Sequence, residues 1–234
     1  MKKTYKELKN DDRYLNINVN GNKKLVNNEN TKFIIWNLPA KTTCPYATEH
    51  CKKACYACKA ERVYPGCKAA REKNLERSKK DSFVNDMIYT IETEINTKKF
   101  ENKKIIFRIH ESGDFYNLEY TQKWVEIAKH FENNKNIIFV AYTKSIIYFI
   151  NCGYGLEMFP ENLQIISSIW DDTSPENWIL TRAYNFPIYT ALSGDDMETE
   201  KKNGRIFTEC RCNDCASCGK CWDKKEREII VKIH

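Results

Sequence analysis

The chain has 234 residues, a formal net charge of +6 and a 41% hydrophobic share, enough for one substantial domain or two small ones around a real core. No apolar run approaches the ~18 residues that cross a bilayer, and the start, Met1-Lys2-Lys3-Thr4, does not read as a secretory signal, so no membrane partner is expected and the default location is the cytoplasm. Lysines alternate with acids instead of clustering with aromatics, so nucleic acid is left open as a partner but not indicated.

In chain order, Tyr14 to Val19 alternates with period two and meets Asn20-Gly21, ahead of Leu25 and Val26. That pattern predicts a short hairpin, since Asn-Gly suits a type I′ turn. Phe33-Ile34-Ile35-Trp36 predicts a buried strand that runs straight into a cysteine loop. After Gly66 the spacing is helical: Phe83, Met87, Ile88, Ile91 and Ile95 share a face, with Asp81 or Ser82 as a cap. Ile105 to Ile109 predicts a strand ending in His110-Glu111-Ser112-Gly113-Asp114. Asn117 caps a helix whose Leu118, Thr121, Ala128 and Phe131 share a face with Trp124 or Val125. Strands over 137–142, 163–169 and 187–192 alternate with helices over 145–150 and 174–184, the last opened by Ser174-Pro175.

Strands alternating with helices imply a parallel sheet with right-handed crossovers. The expected fold class is α/β, a partial (β/α) barrel of about five or six units, too few for a complete eight-unit barrel. The expected division is a hairpin extension over 1–31, the partial barrel over 32–205 and a Cys-rich segment over 206–234. Functional residues then belong on the loops after the strands.

Eleven cysteines are the strongest signal. A reducing cytoplasm disfavours structural disulfides, so clustered cysteines there point to metal or redox chemistry. Cys44, Cys51, Cys55 and Cys58 form one group, and Cys210, Cys212, Cys215, Cys218 and Cys221 another, while Cys67 and Cys152 stand apart. Cys51-x3-Cys55-x2-Cys58 offers three thiolates for the irons of a 4Fe–4S cube and leaves one iron open. Cys212-x2-Cys215-x2-Cys218-x2-Cys221 is too tightly spaced for a single zinc, which favours two short pairs on separate segments, and fits an iron–sulfur cube better. The tail thus either holds its own cluster or folds back to complete the first, so one or two clusters are expected. Trp222 shields a cluster or simply packs, and His50 is a cluster neighbour by position. His130 reads as a surface residue. Glu111 with Asp114, and the pairs Asp171-Asp172 and Asp195-Asp196, are acidic candidates at the functional edge. P-loop, dinucleotide and nucleophile-elbow motifs are lacking.

The Cys51 to Cys58 spacing resembles the signature of radical S-adenosylmethionine enzymes, although Tyr56 follows the second cysteine where that family carries an aromatic before the third. The resemblance implies a loop after the first strand of a partial barrel, S-adenosylmethionine chelated at the open iron, and an electron donor such as a ferredoxin or flavodoxin. It also implies that Ser112-Gly113-Asp114 stands where the family's Gly-Gly-Glu turn receives the methionine amino group, and that Arg108 or His110 meets the carboxylate. Arg108, His110, Ser112 and Asp114 are then the catalytic candidates, on an unknown substrate. The chain as a whole resembles a phage family described as gene product 88. The resemblance rests on Thr43-Cys44-Pro45, Cys51-x3-Cys55-Tyr56, Phe107 to Phe115, Tyr120, Trp124, Tyr142 to Ser145, and Cys218-Gly219-Lys220-Cys221-Trp222. It implies Cys44, Cys51 and Cys55 as the first ligand set, and a host cytoplasm as the location. Three functions follow as expectations: a radical S-adenosylmethionine-like enzyme, a non-catalytic or electron-transfer iron–sulfur protein, or a zinc-bearing nucleic-acid or protein-binding module.

Overall fold

A computed structural model describes residues 4–222 and 227–232. Among these, one eight-stranded sheet organises the chain. Its strands are β1 (Asn18–Val19), β2 (Thr31–Trp36), β3 (Lys104–Ile109), β4 (Ile137–Thr143), β5 (Leu163–Ile169), β6 (Ile188–Leu192), β7 (Thr208–Glu209) and β8 (Glu228–Lys232), in the spatial order β1-β2-β3-β4-β5-β6-β8-β7. All neighbours pair parallel except β1 with β2. Parallel neighbours need long crossovers. After a short α1 (Tyr5–Lys9) ahead of the sheet, these are supplied by α2 (Glu49–Lys53), α3 (Tyr56–Val63), α4 (Pro65–Ser78) and α5 (Phe83–Ile95) between β2 and β3, then α6 (Leu118–His130), α7 (Ile146–Asn151), α8 (Pro175–Ala183) and α9 (Gly194–Lys202).

The central strands are apolar on both faces, as strands covered from both sides must be. One face presents Trp36, Phe107, Phe139 and Ala141 to Phe83, Met87 and Ile91 of α5 and to Trp124 and Ile127 of α6. The period-3.6 faces read from the sequence in α5 and α6 are therefore the faces that are buried. The other face presents Phe33, Ile35, Ile106, Val140 and Ile166, and Trp222 covers them. Its ring meets Phe33 edge-on at 5.8 Å, a favoured aromatic geometry.

One expectation holds in its coarser part and two change. The sheet is open, with β1 and β7 as edges that do not pair, so the structure shows a mixed α/β fold with a mostly parallel sheet that does not close into a barrel. The N-terminal hairpin does not form as read. Asn20 takes φ +82 and the Gly21 amide bonds the Leu25 carbonyl at 2.8 Å, but β1 pairs with β2 instead, Asn18 opposite Ile35. Pairing with a long buried strand gives β1 more partners than a two-stranded ribbon, which is marginal alone. Finally, the Cys-rich segment is not only a tail, since β7 and β8 continue the sheet, with β8 placed between β6 and β7. Among the described residues no helix is long and apolar enough to cross a membrane.

Candidate metal centres

Because β2 and β3 run parallel with Trp36 opposite Ile109, the segments after them leave the same edge of the sheet. They are knitted together there. The Leu38 amide donates to the Ser112 carbonyl and the Ser112 hydroxyl donates to the Leu38 carbonyl, both at 2.9 Å. Asn37 Oδ1 accepts from the amides of Glu111 at 2.8 Å and Ser112 at 3.0 Å. Two left-handed residues make the turn, His110 at φ +69 and Gly113 at φ +85. Glycine is required at the second, where a Cβ would stand 2.6 Å from Thr43 Oγ1 and 2.7 Å from Leu38 Cβ. The Ser112-Gly113-Asp114 turn and the first cysteine loop are thus in direct contact.

The polar groups of this turn already have protein partners. Asp114 Oδ1 accepts from Thr143 Oγ1 at 2.5 Å and the Phe115 amide at 2.8 Å, and Oδ2 accepts from the Lys144 amide at 3.0 Å. Burial pushes the Asp114 pKa up, opposed by those hydrogen bonds. The carboxylate therefore ties the end of β3 to the end of β4, and a ligand would have to displace that tie. Glu111 turns away to accept from the Asn22 amide at 2.9 Å, so the two acids do not act as a pair here. His110 is buried, bonds Tyr120 Oη through Nε2 at 2.8 Å, and leaves Nδ1 without a partner. Burial, helped by the Arg108 charge, pushes its pKa down to about 3, so the ring is neutral.

The first four thiols lie on this edge as two neighbouring pairs. Cys44 sits in the loop, its amide on the Lys41 carbonyl at 3.1 Å, near Cys51 and the Asp114 carboxylate. Burial first, then Asp114, pushes its pKa up to about 12. Cys51 lies in α2, where the Thr48 cap accepts from its amide at 3.2 Å. Cys55 stands at the N-cap of α3 without a side-chain capping bond, and Cys58 follows one turn on; burial, followed by the neighbouring Cys55 thiol, raises the Cys58 pKa. His50 anchors α2 across the edge: its amide donates to Asp172 Oδ2 at 2.8 Å and Nδ1 meets Asp171 Oδ1 at 2.7 Å. Their ligand atoms lie within 4.8 Å of one another, in an exposed trio. Asp196 instead completes the α9 cap, accepting from Ser193 Oγ at 2.5 Å. His130 is a surface residue bonded to Glu92 at 3.1 Å.

The second group lies over the opposite sheet face from α5 and α6. The Cys210 amide donates to the Ile230 carbonyl at 2.7 Å, and the Cys215 amide to the Lys24 carbonyl at 2.9 Å. Cys215 and Cys218 open and close α10 (Cys215–Cys218), where Asp214 Oδ1 accepts from the Ala216 amide at 2.9 Å. The Tyr142 and Tyr189 rings meet at 4.9 Å and pack with Cys215 and Cys221 over this face. Burial raises the Cys212 and Cys215 thiols and pushes Cys221 up to about 11. Arg108 lies over the Tyr142 ring, Cζ 3.7 Å from its centroid. It belongs to this face and not to the Asp114 turn.

All eleven cysteines are free and partly buried. Cys210 Sγ and Cys212 Sγ are 3.9 Å apart, but among the described residues no three thiols lie mutually within 4.8 Å. Four thiolates on one tetrahedral zinc would all sit about 3.8 Å apart, from a Zn–S length of about 2.3 Å. Cys152 stands at the end of α7, its pKa pushed up to about 11 by burial alone, and Cys67 lies in α4. Sequence reasoning passed over Tyr142, Tyr189 and Lys144 as site residues. Their signal was a polar residue at the period-two positions that otherwise carry Phe33, Ile106 and Val140.

The model of a phage family described as "Gene product 88" matches residues 15–224. The "Gene 88 protein" of Mycobacterium phage D29 is 33% identical over 107 residues, 44% of this chain and 42% of that protein. The protein of the same name from Mycobacterium phage L5 is 30% identical over 106 residues, 44% of this chain and 43% of its own. Each alignment thus spans less than half of the relative. No solved structure matches the chain. Nothing in these comparisons supports the resemblance to radical S-adenosylmethionine enzymes.

Proposed function

The chain belongs to the gene product 88 family of phage proteins, and from that premise we propose that it is an iron–sulfur protein of the host cytoplasm whose clusters serve electron transfer or structure. The observation that carries the reading is the disposition of nine free thiols in two groups against one parallel sheet. Thiols kept unpaired in a reducing compartment are metal ligands or redox groups. The tight Cys212-x2-Cys215-x2-Cys218-x2-Cys221 spacing favours a cube over one tetrahedral ion. Cys44, Cys51, Cys55 and Cys58 are the proposed ligands at the strand edge. Cys212, Cys215, Cys218 and Cys221, with Cys210 beside them, are the proposed ligands over the sheet face.

The enzymic variant needs an iron without a thiolate and a free acceptor for S-adenosylmethionine. Contact between the first cysteine loop and the Ser112-Gly113-Asp114 turn favours it. The three hydrogen bonds on the Asp114 carboxylate weigh against it. Anaerobic purification followed by iron, acid-labile sulfide and zinc analysis tests the main reading. Iron and sulfide in about equal amounts, with broad absorbance near ~400 nm, are expected. Stoichiometric zinc without iron would refute it. Binding of S-adenosylmethionine by the loaded, reduced protein would move the reading to the enzyme.

A further inference from the structure

Five thiols crowd the second group, where the Cys212-x2-Cys215-x2-Cys218-x2-Cys221 run already supplies a ligand for each iron of one cube. Cys210 is the surplus thiol. It follows β7, whose Thr208 and Glu209 pair with Ile229 and Ile230 of β8, and its amide donates to the Ile230 carbonyl at 2.7 Å. That bond fixes its backbone on the sheet. Cys212 comes two residues later, beyond the strand, and the two sulfurs stand 3.9 Å apart. Both cysteines are partly buried, whereas Arg211 between them is 77% exposed and pairs with Glu209 Oε2 at 2.6 Å.

A disulfide needs its sulfurs about 2.05 Å apart. From 3.9 Å, rotation of the side chains about their Cα–Cβ bonds brings the sulfurs together with the strand end left in place. Residues two apart also have little chain entropy to lose on joining. A link across so short and exposed a segment is of the strained, easily reduced kind that serves regulation in a reducing compartment.

Resting on the iron–sulfur reading of the second group, we propose that Cys210 and Cys212 form a reversible disulfide in the iron-free protein, which withholds Cys212 from the cluster over the sheet face until it is reduced. The oxidant is a small-molecule disulfide of the glutathione class. The Cys210 thiolate attacks one of its sulfurs, expels one small thiolate and leaves a mixed disulfide. The Cys212 thiolate then attacks the Cys210 sulfur and expels the second small thiolate. The cysteines lose two electrons to the small disulfide, and their two protons end on the two small thiols.

The first measurement needs neither a variant nor iron. Iron-free protein is equilibrated anaerobically in glutathione buffers of rising oxidised share, quenched in acid, alkylated, digested and mapped by mass spectrometry. The Cys210–Cys212 linkage should be the first to appear, and excess reduced glutathione should erase it. A first linkage between any other two cysteines, or glutathione adducts in its place, overturns the inference. The second measurement follows loading with stoichiometric iron and sulfide at the buffer ratio that just closes the link. The oxidised parent should acquire the iron of the second group several-fold more slowly than the parent reduced beforehand. Cys210→Ser, given the same oxidising treatment, should load at the reduced parent's rate. Equal rates for oxidised and reduced parent overturn the inference and leave the iron–sulfur reading standing. A reduced parent that takes up no iron overturns both.

Discussion

Replacing Gly113 with alanine tests how the first cysteine loop is held. The residue has φ +85, and an added Cβ would meet Thr43 Oγ1 at 2.6 Å, Leu38 Cβ at 2.7 Å and the Leu38 carbonyl carbon at 3.2 Å. Two penalties combine. The left-handed conformation costs an L-residue about 1–2 kcal/mol. Forcing a methyl into packed surroundings costs about 1–3 kcal/mol more, and here one neighbour is backbone that cannot swing aside. The expected loss is about 2–5 kcal/mol, a large share of the ~5–15 kcal/mol that holds a domain folded. Gly155 is the matched control, at φ +84 with nothing within 4 Å of an added Cβ, so Gly155→Ala should show only the conformational part, about 1–2 kcal/mol. Urea unfolding of both variants at equal slope reads the difference. If the two agree within about 0.5 kcal/mol, the close approach of the loop to the turn is wrong. Gly113→Ala should also lower iron uptake, because the misplaced segment carries Cys44.

Cys55→Ala and Cys215→Ala should each remove about half of the bound iron if there are two cubane clusters; loss of nearly all iron from either single variant would indicate one shared cluster. Trp222→Ala should cost about 3–5 kcal/mol, since the ring is buried against Phe33, and should speed modification of the tail thiols by a thiol reagent; unchanged stability would refute its role as the cover of that face. His110 supplies a pH test. Its folded pKa of about 3 lies below the unfolded value of about 6.5, so the unfolded chain binds the extra proton between them. Its contribution to stability is complete above about pH 6.5 and falls by about 1.4 kcal/mol per unit as the pH drops toward 3. His110→Asn, whose side chain tolerates φ +69, should lose that part of the slope in urea unfolding between pH 4.5 and 7, and an unchanged slope would refute it.

Much was legible locally. The apolar runs of β2 to β6, the buried faces of α5 and α6, and the caps Asn117 and Ser174 were read from neighbours a few residues apart, because strand and helix periods are short-range properties. The grouping of thiols was equally plain, and so was the placement of the Cys44 loop and the Asp114 turn on one edge, once parallel strands were assumed. The partners of individual groups were not legible. Asp114 is tied to Thr143, 29 residues on, and the Cys215 amide to Lys24 near the other end of the chain. The pairing of β1 with β2, the insertion of β8 between β6 and β7, and Trp222 on Phe33 are choices of the same kind. Composition and spacing determined that this chain carries an alternating α/β fold and two groups of thiols. Only the tertiary structure decided that the sheet stays open, that the second group lies on the face opposite α5 and α6 beside Arg108, and that Asp114 beside the first group is already bonded. Such pairings join residues far apart in sequence, where closing the chain costs entropy that only the contacts of the whole fold offset.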